Sequence, residues 1–257
     1  MATRSALLNV MTKAADKAAR GLKRDFGEIE NLQVSRKGPA DFVSAADLKA
    51  EKVLKGELQK ARPGYGFLME ESEEVPESDG SGRRWIVDPL DGTKEFINRN
   101  GEFTVNIALI EDGQPVAGVV HAPAMAMTWA GVCGDTEDGG KGSGRAVFAE
   151  TDKPLMDIRA RAIPEDGAVV VASRRHGSGQ ELDDFLAKYK VADRVSAGSS
   201  LKFCLVADAR ADLYPRMGPT MQWDTAAGDA VLRAAGGKVV TTEGAPFRYG
   251  PNGEAGV

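Results

Sequence analysis

Cysteine and histidine are scarce in this 257-residue chain: Cys133, Cys204, His121 and His176 are all it has. Four such ligands, so widely scattered, exclude the spacings of a structural zinc site, a zinc-protease helix or an iron–sulfur cluster. The two cysteines form no disulfide framework, so a reducing cytoplasm is the expected compartment. A basic surplus is also missing. Lys and Arg number 33 against 38 Asp and Glu, a net charge of −5 that argues against a protein coating nucleic acid. No apolar run suits a membrane span: the nearest, residues 116–133, contains Gly118, His121 and Pro123 and reads as strand–turn–strand. Residues 1–20 lack the continuous apolar stretch and cleavage site of a targeting peptide, and Leu7, Met11, Ala14, Ala18 and Leu22 instead mark an amphipathic core helix. The stretch GDTEDGGKGSG lacks the glycine spacing of a phosphate loop and has no Ser or Thr directly after Lys141, so it reads as a hairpin tip. There is no internal repeat and no low-complexity tract.

What remains is an ordinary globular composition, 42% apolar and 28% charged, at a length that suits one large domain or two lobes. A second helix starts near Asp41 or Ser44 and stops at Arg62-Pro63-Gly64. A strand covers Tyr65–Met69, an exposed acidic loop Ser72–Arg84, and further strands Arg84–Val87, Phe103–Ile110, Val116–His121 and Met127–Val132. A second α/β section has strands at Ala168–Ala172 and Ala211–Tyr214, and helices at Gln180–Tyr189 and Ser200–Ala207. Its last helix opens near Trp223 and is capped by Gly236-Gly237. This alternation predicts α/β layers in two lobes, residues 1–140 with most of the acidic site and 141–257 with the substrate contacts. The chain ends at NGEAGV without an apolar strand after APFRYG, which predicts an exposed edge in the last sheet.

The chemistry lies in acids placed where strands end. Glu70-Glu71 closes one apolar run, Asp88 and Asp91 follow another in WIVDPLDGT, and Asp224 opens a late helix. Pro89 stiffens the turn so that Asp88 and Asp91 face one point. Singly, each reads as a surface acid. Grouped, they raise one another's pKa unless divalent cations lie between them, and all-carboxylate ligation favours hard ions such as Mg²⁺ or Mn²⁺. Gly92-Thr93 then starts a helix whose free N–H groups suit a phosphate. Metals beside a phosphate cradle imply metal-assisted phosphoryl chemistry. Cys204 sits in an apolar helical stripe and reads as packing, and Trp85 and Trp223 as core anchors beside the acids.

WIVDPLDGT, the upstream MEE and the late WDTAAGD resemble the metal-dependent, lithium-sensitive phosphatases of the inositol monophosphatase superfamily, across nearly the whole chain. The resemblance implies a layered αβαβα sandwich and a Mg²⁺ cofactor of two or three ions, with Mn²⁺ as a substitute and Li⁺ inhibitory. It further implies that Glu70, Asp88 and the Leu90 carbonyl hold a first ion, and that Asp88, Asp91 and Asp224 hold a second. Glu71 would either support the ligands from behind or serve a loosely bound third ion, and Asp47 would accept a proton from the attacking water through Thr93.

GTKEFINRNGEFTVNIALI, VASRRHGSG and SAGSSLKFCLVADARADLYPRMGPT resemble the 3′(2′),5′-bisphosphate nucleotidase branch. That implies substrate contacts from Gly92, Thr93, His176, Gly198, Lys202, Arg216 and Asp224, with Arg174 and Arg175 adding charge for a second phosphate. Inositol monophosphatases tend to carry an acid near the Arg216 position. The first seventy residues instead resemble bacterial inositol-1-monophosphatases, which keeps that activity as the alternative; a non-catalytic nucleic-acid regulator is the third reading. The expected partner is a small phosphate ester, with no membrane and no stable nucleic acid; a homodimer is compatible with the chain.

Overall fold

The computed structural model describes residues 5–32, 39–134, 144–173 and 179–250. The first layer is a pair of helices, α1 (Ala6–Leu32) and α2 (Pro39–Ala61). Leu7, Met11, Ala14, Ala18 and Leu22 of α1 recur every three or four residues, as do Ala46, Ala50, Leu54 and Leu58 of α2; both stripes are buried. They cover a seven-stranded sheet whose strands lie in chain order: β1 (Gly66–Met69), β2 (Arg83–Asp91), β3 (Thr104–Glu111), β4 (Gln114–Ala122), β5 (Met127–Val132), β6 (Arg145–Glu150) and β7 (Met156–Ile158). The β1–β2 pair is parallel and every later pair antiparallel. A single-turn helix, α3 (Thr93–Ile97), follows β2.

Strand alternation divides the apolar residues between the two faces. Trp85, Val87, Val105, Ile107 and Leu109 pack toward α1 and α2, while Ile86, Ala108 and Ile110 pack toward α5 (Leu201–Ala207) and α6 (Gln222–Ala234). Beyond these helices lie the parallel strands β8 (Ala168–Ala172) and β9 (Val191–Ser196), then α4 (Gln180–Leu186). Val171 faces the α5/α6 core, and Ala168 and Val170 pack on Leu182 and Leu186 of α4. The stack is therefore αβαβα.

Several local expectations need correction. β2 does not stop at Val87; it runs on through both aspartates. Ala211–Tyr214 is no strand but a single bridge from Leu213 to Val170, because Pro215 has no N–H with which to continue the ladder. Helix α4 is shorter than expected, ending at Leu186, and α2 begins earlier, at Pro39, a residue suited to a first helical turn. β6, β7 and β9 add strands beyond those expected; β9 (VADRVS) is polar and mostly exposed. Most of the expected hairpin tip, residues 135–143, lies outside the described residues, as do 251–257. The APFRYG stretch is anchored: Tyr249 is buried and its hydroxyl donates to Asp229 Oδ2 at 3.0 Å.

Candidate active site

A β-bulge makes the acidic cluster. In a regular strand, residues three apart point to opposite faces. Asp88 pairs with Asn106 and Asp91 with Thr104, so three steps along β2 match two along β3. The extra residue restores Asp91 to the face that Asp88 occupies, while Leu90 turns into the core beneath α1 and α2. Pro89 has no N–H to lose from the ladder, and the Leu90 N–H donates to Asp88 Oδ1 at 2.9 Å. β1 lies parallel beside β2 with Met69 opposite Val87, which brings Glu70 next to Asp88. Asp224 arrives from the other side, in the first turn of α6.

Carboxylate oxygens of Asp88, Asp91 and Asp224 lie within 4.8 Å of one another, and so do those of Asp47, Glu70 and Glu71. Burial, then the charges of Glu70, Glu71 and Glu51, push Asp47 up to about 8. Burial chiefly raises Glu70 to about 7, opposed by a hydrogen bond with Asp88. Asp88 rises well above the ordinary carboxylate range through burial and then Asp91; burial and Asp224 raise Asp91. Such a group is poorly matched to itself and well matched to divalent cations. The donor set is all oxygen, and Asp47 Oδ1 is buried without a hydrogen-bond partner. Glu70, Asp88, Asp91 and Asp224, with Asp47 and Glu71 alongside, thus fit a hard divalent ion.

Protein donors hold one oxygen of each central aspartate. Asp91 Oδ2 accepts from Ser200 Oγ at 2.8 Å, Asn106 Nδ2 at 3.1 Å and Thr104 Oγ1 at 3.4 Å. Asp224 Oδ2 accepts from Thr220 Oγ1 at 2.9 Å and the Met221 N–H at 3.2 Å, with Arg216 Nη2 3.7 Å away.

A cleft of about 180 Å³ opens on Asp91 and Asp224. One wall is Gly92, Lys94 and Glu95; another is Ala197, Gly198 and Ser199; Ser173, Lys202, Tyr214 and Arg216 complete it. Gly92 adopts φ +93°, a left-handed backbone that glycine permits and that turns the chain from strand into helix. A Cβ on Gly198 would lie 2.8 Å from Glu95 Cγ, so glycine lets the two walls close on each other. Glu102 joins them further, accepting from the Gly198 N–H at 2.7 Å. Lys202 is only 5% exposed, and its ammonium donates to the carbonyls of Ala197 and Ser199 and lies 5.3 Å from the Tyr214 ring centre. Burial lowers its pKa, partly offset by Asp91.

The structure thus brings together Glu70, Asp88, Asp91 and Asp224, places Asp47 beside them, and lines the cleft with Gly92, Gly198, Lys202 and Arg216. Thr93 is exposed at the start of α3, and no hydrogen bond joins it to Asp47 among the described residues. Arg174, Arg175 and His176 lie outside the described residues. Sequence reading missed Thr104, Asn106 and Ser200 around Asp91, Glu51 beneath Glu71 (Glu71 N–H to Glu51 Oε2, 2.9 Å) and Tyr214 in the cleft. One signal was present: Asn106 is a lone amide within the apolar run TVNIALI, a residue type that needs a partner when buried. No described helix is long and apolar enough to cross a membrane.

A model of the inositol monophosphatase family matches residues 3–256. An inositol-1-monophosphatase of Mesorhizobium japonicum is 44% identical over 94% of this chain and 87% of its own length. The 3′(2′),5′-bisphosphate nucleotidase CysQ of Shigella flexneri is 40% identical over 95% of this chain and 94% of its own. The crystal structure of CysQ from Bacteroides thetaiotaomicron superposes with a TM-score of 0.77 at 32% identity, covering 98% of this chain and 95% of that one.

Proposed function

The chain belongs to the inositol monophosphatase family and is a phosphatase, and from that premise we propose that it is a Mg²⁺-dependent 3′(2′),5′-bisphosphate nucleotidase, releasing the 3′-phosphate of adenosine 3′,5′-bisphosphate to leave AMP. The observation that carries the nucleotide reading is the cationic wall facing the acids. Lys202 is a buried ammonium with no carboxylate in ion-pair contact among the described residues, and Arg216 stands beside it in the same cleft. A buried cation with no carboxylate in ion-pair contact favours an anionic ligand, and a bisphosphate brings a second phosphate that a monophosphorylated polyol lacks.

In this reading Glu70, Asp88 and the Leu90 carbonyl would hold one Mg²⁺, and Asp88, Asp91 and Asp224 another, with Glu71 available to a third. When bound, these ions supply the positive charge that favours hydroxide over water at neutral pH and neutralises a phosphoryl group. The chain's own residues do the rest. Gly92 and Thr93 orient the scissile phosphate at the α3 start, and Asp47 takes the proton of the attacking water through the Thr93 hydroxyl. Lys202 and Arg216 bind the second phosphate, and Gly198 lines the cleft on the nucleoside side. The compartment in this reading is the reducing cytoplasm expected of a chain with only two, widely separated cysteines.

The Mesorhizobium relative makes inositol 1-phosphate the alternative substrate. Phosphate release from the two compounds with Mg²⁺ separates the readings: kcat/KM is expected to favour adenosine 3′,5′-bisphosphate, and a preference for inositol 1-phosphate would reverse the assignment. Asp91→Asn is expected to cost more than the roughly 10–100-fold typical of losing a supporting partner, for either substrate. Undiminished turnover in that variant would refute the catalytic use of the cluster.

A further inference from the structure

Asn106 and Ser200 stand behind Asp91, away from the cleft, and both are buried. The Asn106 amide uses its two N–H bonds on one target pair, Asp91 Oδ2 at 3.1 Å and Ser200 Oγ at 2.9 Å. Its amide oxygen, Oδ1, is buried and has no partner. Leaving such an acceptor unpaired is unfavourable, so the side chain does not satisfy itself; its geometry serves Asp91 and Ser200. Ser200 Oγ lies 2.8 Å from both Asp91 Oδ2 and the Asp224 carbonyl oxygen. Because Asn106 already donates to this hydroxyl, its one proton is shared between an acid of β2 and the first turn of α6.

We infer that Asn106 and Ser200 are positioning residues, a hydrogen-bonded yoke that fixes the Asp91 carboxylate relative to the helix start carrying Asp224, so that both acids present their remaining oxygens to one divalent ion. The inference rests on the reading of these acids as a Mg²⁺ site. The yoke spans the two faces of that site: Asn106 comes from β3, Ser200 from the residue before α5, Asp91 from the β2 bulge and Asp224 from α6. Without it, Asp91 would be held only by Thr104 Oγ1 at 3.4 Å, which leaves its carboxylate freer to rotate. Hydrogen-bond partners of this kind typically change metal affinity by about 10–100-fold without touching the ion.

The test is calorimetric titration of the metal-stripped full chain with Mg²⁺, alongside thermal unfolding in EDTA. Ser200→Ala removes one hydroxyl, and Asn106→Leu removes the amide together with its orphan oxygen at similar volume. Each variant is expected to weaken Mg²⁺ binding about tenfold or more while its metal-free Tm stays close to wild type, and the Mg²⁺ concentration for half-maximal turnover should rise in step. Wild-type Mg²⁺ affinity in both variants, or a fall in metal-free Tm with affinity retained, would overturn the yoke and leave the metal site standing. Failure of wild-type protein to bind Mg²⁺ at all would overturn the site and the yoke with it. Should Asn106→Leu fail to fold, Ser200→Ala decides.

Discussion

Lys202 is buried in the wall of the cleft, with its ammonium on the Ala197 and Ser199 carbonyls. An ammonium this buried loses hydration, and carbonyl oxygens recover only part of that loss, so its pKa falls. Asp91 offsets this in part, and a phosphate in the cleft would add a negative charge in direct contact. Lys202→Met and Arg216→Gln are each expected to raise KM for adenosine 3′,5′-bisphosphate about tenfold, the scale of one charge-assisted hydrogen bond, with a much smaller effect on inositol 1-phosphate. Equal effects on both substrates in steady-state assays would show that the cationic wall does not select the second phosphate. At this scale the acids were legible because Glu70, Asp88 and Asp91 follow apolar runs and Asp224 opens a helix, places where an ionisable group is conspicuous. Thr104 and Ser200 were not, since hydroxyls are common and their roles depend on partners 13 and 109 residues away in sequence.

Among the elements, α6 has the least room for error because it delivers Asp224. It reaches the sheet over two glycines that face each other across the β4–β5 ladder, Gly118 and Gly131. A Cβ on Gly118 would lie 2.4 Å from the Ala227 oxygen, and one on Gly131 2.6 Å from Ala234 Cβ. Gly118→Ala therefore has to push α6 off the sheet. It is expected to destabilise the fold by about 1–3 kcal/mol in urea unfolding and to raise the Mg²⁺ requirement as Asp224 moves with its helix. Unchanged stability would mean that the helix seat yields freely. The β2 bulge is the second decisive element. The sequence DPLD reads as a turn after a strand, because Pro is uncommon within ladders, yet the strand continues and absorbs one extra residue. Only the partner strand β3 reveals that count.

Taken whole, the molecule concentrates like charge where helices and strands from opposite layers meet, which predicts a pH signature. Asp47 and Glu70 rise from ordinary values of 3.8 and 4.5 to about 8 and about 7 in the metal-free protein. Between those limits the native state holds more protons than the unfolded chain, so stability falls as pH rises. The contribution is complete below about pH 4 and lost as pH climbs through 7 to 8. In EDTA, Tm is expected to fall between pH 5.5 and 8.5, less steeply in Asp47→Asn, and saturating Mg²⁺ should flatten the slope. A metal-free Tm that is level or rises over that range would contradict the raised carboxylates.

The sequence alone determined the layered α/β class, most element positions and the acids that the fold groups together, because apolar periodicity and misplaced charge are local signals carried by neighbouring residues. Tertiary structure decided that Asp91 shares a face with Asp88, that Asn106 and Ser200 hold it, and that Lys202 is buried beside the cleft. Each of these depends on register or on packing between segments far apart in the chain, where a shift of a single residue sends a side chain to the opposite face.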